Sequence, residues 1–116
     1  MIAHIVLFKA HESLSIEQKR AILDSVVAAV NRCPSVRECR IGRRVRHGMP
    51  GYEQAMREDY QFALVLEFDH LQGLRDYLAH PEHEKLGGFF ASASSASLAY
   101  DYEFVPLDRA HLALGG

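Results

Sequence analysis

The sequence predicts a single α+β domain: one four-stranded antiparallel sheet with its helices gathered on one face. Three observations predict it. Short runs rich in β-branched and aromatic residues alternate with helix-periodic stretches in the order β-α-β, then β-α-β again. No glycine-rich nucleotide fingerprint accompanies that order, which separates the chain from doubly wound nucleotide-binding sheets. The length of 116 residues suffices for one core and not for two.

Residues 2–9, Ile-Ala-His-Ile-Val-Leu-Phe-Lys, form the first expected strand. Ile2, His4, Val6 and Phe8 share one face, and Ala3, Ile5 and Leu7 the other, so both faces are apolar except at His4. Ser15 followed by Gln18 is a capping-box pattern. An amphipathic helix runs from there to about Asn31, with Ile22, Leu23, Val26, Val27 and Val30 as its apolar stripe. Cys33-Pro34 ends it, because proline cannot continue a helix. The second strand is expected from Val36 to about Arg46. Its basic cluster, Arg40, Arg43, Arg44, Arg46 and His47, reads as the charge-protected edge of a sheet in preference to an anion site. Residues 47–60, which include Gly48, Pro50 and Gly51, form a loop.

Gln61 to Asp69 is the clearest strand, with Phe62, Leu64, Leu66 and Phe68 on one face and Ala63 and Val65 on the other. Asp69 with Gln72 resembles a helix start, and Leu71, Leu74 and Leu78 give that helix its stripe. Tyr77, three residues beyond Leu74, lies beside the stripe. A third helix follows Pro81 and is expected to loosen through Gly87-Gly88-Phe89-Phe90 into a serine/alanine stretch at 91–97. Residues 98–105 form the last strand, with Leu98, Tyr100, Tyr102 and Phe104 on one face and Ala99, Asp101, Glu103 and Val105 on the other. Residues 1–105 make the domain, and a loosely ordered tail of 106–116 follows. This is the ferredoxin-like arrangement of two β-α-β halves.

The stretch Tyr77-Leu-Ala-His80-Pro-Glu-His83 stands at the junction of the second and third helices. Pro81 biases His80 away from helix and is well placed at the first position of the next one, so the chain turns a corner there. A phenol and two imidazoles within one corner are acid–base groups: histidine titrates near neutral pH, and tyrosine donates a hydrogen bond or a proton. The plainer alternative is a polar, solvated helix junction.

Composition narrows the functional classes. Apolar residues make up 48% and charged residues 24%, with a net charge of −2, so no global field favours nucleic acid or anionic lipid. Cys33 and Cys39 lack CxxC spacing and read as reduced thiols. No apolar run approaches the ~20 residues that cross a bilayer, and Met-Ile-Ala-His lacks a basic leader, so a cytoplasmic protein without membrane contact is expected. With the helices on one face, the other face exposes Ile5, Leu7, Val65 and the aromatic row of the last strand. An apolar face of several hundred Å2 is rarely left wet. A homodimer packed sheet to sheet is the expectation, and it leaves no open aromatic face for RNA.

The opening His4-Ile-Val-Leu-Phe8, the strand Phe62-Ala-Leu-Val-Leu-Glu-Phe68, the segment Asp76-Tyr-Leu-Ala-His-Pro-Glu-His83 and the closing Tyr100-Asp-Tyr102 together resemble the stress-responsive A/B barrel (Dabb) family. The resemblance runs to about residue 105, and its Tyr-x-x-His-Pro-x-His piece is its most specific part. It implies a dimeric α/β barrel of two ferredoxin-like protomers, each with a pocket between helices and sheet. A plant polyketide cyclase of this kind works without cofactor through a Tyr/His pair, which by motif falls on Tyr77 and His83. The same resemblance places Asp101 beside the catalytic histidine. It makes His4 a pocket histidine and Val6, Phe8 and Leu64 apolar lining, with His80 at the pocket as well. Ala21 to Val30 carries no tyrosine or phenylalanine, unlike the cyclase, so the pocket differs in shape.

Three functions follow. One is a small dimeric protein whose pocket holds a small, partly apolar ligand without catalysis. The second is a cofactor-free enzyme of cyclase, lyase or isomerase type acting on a carbonyl or aromatic compound. There His83 is the base or acid, Tyr77 polarises the carbonyl and Asp101 fixes the imidazole tautomer. The third is a metal site of His80, Glu82, His83 and Glu84, which is disfavoured because Pro81 breaks the helical face and no third strong ligand is evident. Neither a metal nor another cofactor is expected.

Overall fold

The computed structural model describes residues 1–115. Its elements are β1 (Ile2–Ala10), α1 (Ile16–Arg32), β2 (Glu38–Arg43), β3 (Phe62–Phe68), α2 (Leu71–Leu78), α3 (Pro81–Ala93), β4 (Ser94–Glu103) and a short α4 (Ala110–Ala113). Single 3-10 turns stand at Glu53–Ala55 and Leu107–Arg109. The strands form one antiparallel sheet in the order β2-β3-β1-β4. The expected ferredoxin-like α+β fold is the one observed.

Register assigns the two faces. Ile2, His4, Val6 and Phe8 of β1 stand opposite Phe68, Leu66, Leu64 and Phe62 of β3. Those rows pack against the helices, where Phe68, Leu64, Leu66 and Tyr77 are the largest fully buried side chains. On the other face Ile5 is paired with Val65 and Tyr100, and Leu7 with Ala63 and Leu98. Tyr100, Tyr102 and Phe104 form a row there, with neighbouring ring centroids 6.3 Å apart, and all three are exposed in the isolated chain. The helices therefore cover one face only.

Local signals explain most element boundaries. The α1 capping box is complete: Gln18 N–H donates to Ser15 Oγ, and Ser15 N–H to Gln18 Oε1. The α1 stripe is narrower than its periodicity suggests. Val26 and Ala29 are buried, while Leu23 and Val27 remain half-exposed. In α2 the buried side is Gly73, Leu74 and Tyr77, with Leu71 and Leu78 outward. A Cβ at Gly73 would stand 3.4 Å from Ser35 and 3.5 Å from Phe68, so glycine lets α2 lie close against the end of β3. Asp69 does not cap α2; His70 holds that position, and Asp69 pairs with Arg37 at 2.5 Å.

Three boundaries differ from expectation. Strand β2 stops at Arg43, because Arg44 and Arg46 both turn to Asp59 and draw the chain into the loop. Helix α3 continues through Gly87-Gly88 to Ala93, held there by Phe90, which packs edge-on to Phe8 at 4.7 Å. Tertiary packing overrides the glycine pair's weak helix propensity. Strand β4 consequently begins at Ser94, directly after the helix, with a register shift opposite Lys9 and Ala10. The tail is ordered into the 3-10 turn and α4, and Gly116 lies outside the described residues.

Candidate functional site

The corner between α2 and α3 is built as its residues dictate. Pro81 occupies the first turn of α3, and His80 is its N-cap, with Nδ1 accepting the Glu82 N–H at 3.1 Å. His83 sits one turn in, and its Nδ1–H donates to the Leu78 carbonyl at 3.1 Å. That bond keeps the hydrogen on Nδ1 in the neutral ring and leaves Nε2 with a free lone pair.

Tyr77 comes up from α2 and is only 1% exposed. Its ring meets that of His83 edge to face at a centroid distance of 4.9 Å and leans on Phe68 at 5.5 Å. The third ring is His4 from β1, 6.0 Å from Tyr77 and 6.3 Å from His83. Three elements thus bring a phenol and two imidazoles into one cluster. His4 Nδ1 lies 2.6 Å from the Asp101 carboxylate, directly across the β1/β4 pairing. A bond this short is charge-assisted, with the imidazole N–H donating to the carboxylate.

The surroundings set the protonation states. Burial is the main cause that pushes the Tyr77 phenol far above the ordinary tyrosine range, with Cys39 and Cys33 adding to it. Tyr77 is therefore a hydrogen-bond donor at physiological pH and not a base. Burial also lowers the pKa of His83, neighbouring His4 lowers it further, and the Leu78 carbonyl opposes both. A neutral imidazole acceptor beside a protonated phenol is an acid–base pair ready for use near neutrality.

The predicted site residues divide into four groups. Tyr77, His83, His4 and Asp101 meet in the cluster, but Asp101 fixes the tautomer of His4, whereas the Leu78 carbonyl fixes that of His83. His80 turns one ring nitrogen back into the α3 cap. Leu64 is fully buried in the core, and Val6 packs against that core. Phe8 alone of the expected lining residues borders the largely apolar helix–sheet cavity of about 280 Å3, with Leu14, Ile22, Leu23, Ile41 and Phe62. The cavity lies toward the opposite end of β1, four residues and ~13 Å along the strand from His4. Helical spacing put Ile22 and Leu23 on the inner stripe; Ile41 was hidden among arginines on an edge strand. Among the described residues no three His, Cys, Asp or Glu side chains are grouped to hold a metal ion. Among the described residues no helix is long and apolar enough to cross a membrane.

A family model for the stress responsive A/B barrel domain matches residues 2–104. The chain belongs to that family. Olivetolic acid cyclase of Cannabis sativa is 23% identical to this A/B barrel domain over 101 residues, covering 87% of this chain and 94% of the cyclase. A dimeric protein of unknown function with a ferredoxin-like fold, from Bacteroides fragilis, is 29% identical, with a TM-score of 0.61 over 89% of this chain and 95% of that one. Hydroxynitrile lyase from Passiflora edulis shares the A/B barrel fold with a TM-score of 0.74 at 18% identity, covering 90% of this chain and 96% of the lyase.

Proposed function

We propose that this A/B barrel domain is a cofactor-free acid–base catalyst, working as a homodimer on a small carbonyl compound. The observation that carries the reading is the edge-to-face contact of buried Tyr77 with His83 at 4.9 Å, both held by backbone geometry at one corner. His83 Nε2 takes a proton from the carbon beside the carbonyl or from a hydroxyl, and returns it in the reverse sense. The Tyr77 hydroxyl donates to the oxygen on which negative charge develops. His4, oriented by Asp101, places its ring beside those of Tyr77 and His83. Neither metal nor organic cofactor takes part. Polyketide cyclisation and cyanohydrin cleavage, the activities named for two relatives, both need this kind of proton transfer next to a carbonyl or carbinol carbon.

The test is turnover of small β-keto compounds and cyanohydrins by the wild type, His83→Ala and Tyr77→Phe in metal-free buffer. Rates that fall at least 100-fold in both variants, with the fold intact, support the reading. A substrate turned over equally by all three proteins ends it.

The apolar cavity at Phe8 favours a second reading, a binding protein without chemistry. Its mark is a small apolar compound that raises the melting temperature of wild type and His83→Ala alike and is recovered unchanged.

A further inference from the structure

The open sheet face carries a groove that the acid–base site does not use. It has a volume of about 480 Å3, and it runs beneath the 44–61 loop. Leu7 and Ala63 form its floor and Met56 and Tyr60 a wall; its rim holds Arg43, Arg44 and Arg57 against one carboxylate, Glu58, which is paired with Lys9 at 3.7 Å. Arg44 and Arg46 of the same loop are paired with Asp59, whereas Arg43 and Arg57 stand outside the ion pairs of the described residues. The groove suits an apolar segment carrying a carboxylate.

The chain contains such a segment with nothing to pack on. Leu107 is 90% exposed and Leu114 is 87% exposed, at either end of the 3-10 turn and α4. Asp108, beside Leu107, is the only carboxylate side chain between Pro106 and Gly115. A protomer cannot fill its own groove with Leu107. The tail leaves the sheet at the beginning of β1, where Phe104 N–H donates to the Met1 carbonyl at 2.8 Å. The groove is centred two strand spacings away (~10 Å) and five residues further along (~17 Å), a diagonal of about 20 Å. Three residues from Phe104 to Leu107 span at most about 10 Å.

We infer that the groove receives the C-terminal tail of a second copy, with Leu107 on the Leu7–Ala63 floor and Asp108 against Arg43 and Arg57. This rests on the homodimer stacked through the open faces. A two-fold axis between those faces, along the diagonal from the Glu38 end of β2 to the Ser94 end of β4, exchanges the tail corner of one protomer with the groove corner of its partner. Both tails then dock at once, as an isologous interface requires. The tail and the 44–61 loop become reciprocal arms of the dimer.

Full-length chain carrying Met56→Cys and Leu107→Cys, oxidised gently, tests the contact on a non-reducing gel. Disulfide-linked dimer is expected from the double variant and not from either single variant. In sedimentation, Leu107→Glu combined with Leu114→Glu should weaken dimerisation at least tenfold; both side chains are exposed within the protomer, so its fold is untouched. Asp108→Arg should weaken it too, and Arg57→Asp in the same chain should restore it. A wild-type dimer that yields no cross-link and is indifferent to these changes overturns the tail assignment alone. A wild-type chain that sediments as a monomer at micromolar concentration overturns it together with the homodimer.

Discussion

His4 Nδ1 stands 2.6 Å from Asp101 Oδ1, and these two residues are direct partners across the pairing of β1 with β4. The carboxylate therefore serves a different histidine from the one whose lone pair we assign to catalysis. Asp101→Asn keeps the shape but removes the charge that orients His4. We expect a loss of about tenfold in kcat/KM, against at least 100-fold for His83→Ala. Equal losses in the two variants would place Asp101 in direct contact with the reaction instead.

The pH profile should reflect the depressed pKa of His83. As the general base it must be neutral, so the acid limb of kcat/KM should bend below 6.5, the ordinary histidine value. Stability follows the same direction. A histidine whose pKa is lower folded than unfolded contributes its full share above 6.5 and loses it as pH falls through the folded value. His83→Gln should flatten both dependences, measured by initial rates and by urea unfolding between pH 5 and 8.

Tyr77→Phe should cost at least 100-fold in turnover while leaving the acid limb in place, since the phenol is a donor throughout that range. With the phenol pushed above its ordinary value of 10, any alkaline limb below that pH must belong to another group. A limb that vanishes in Tyr77→Phe would contradict this.

Phe68 is completely buried, and Tyr77 leans on its ring at 5.5 Å. Phe68→Ala should destabilise the protomer by about 3–5 kcal/mol through the cavity it leaves. Phe68→Leu should cost less stability but still slow turnover, because the Tyr77 ring loses its stop. Denaturant unfolding and steady-state rates together check the pair.

Tyr100→Asp addresses the open face. The side chain is exposed in the isolated protomer, so folding should persist, while a charge between stacked sheets costs several kcal/mol. Sedimentation should show the variant as a monomer at concentrations where the wild type is a dimer.

Much of this was legible from residue order. Period-two rows such as Phe62, Leu64, Leu66 and Phe68 named their own inner face, and His80-Pro81 announced the corner that brings Tyr77 to His83. What escaped was whatever depends on partners distant in sequence. Gly87-Gly88 read as a weak point, and only the Phe90–Phe8 contact across the core keeps α3 intact to Ala93. The Leu78 carbonyl that fixes the tautomer of His83 is a backbone group and leaves no trace in composition. The cavity at Phe8 draws on six separate elements, from β1 to β4, so no local pattern outlines it.

Strand β1 lies between β3 and β4, so the first strand to be made is completed by the last. At translation rates of 5–20 residues per second, the 97 positions separating His4 from Asp101 take roughly 5–20 seconds to synthesise. Until β3 emerges both edges of this apolar strand are unpaired, and from then until β4 follows one edge still is. Ribosomal progress thus sets when the candidate site can be complete: a chain extended past His83 already bears the Tyr77–His83 pair, yet His4 has no carboxylate to orient it until β4 is added. A product terminated before β4 would lack the Asp101 partner of His4 and would leave one edge of β1 open to pairing with another chain.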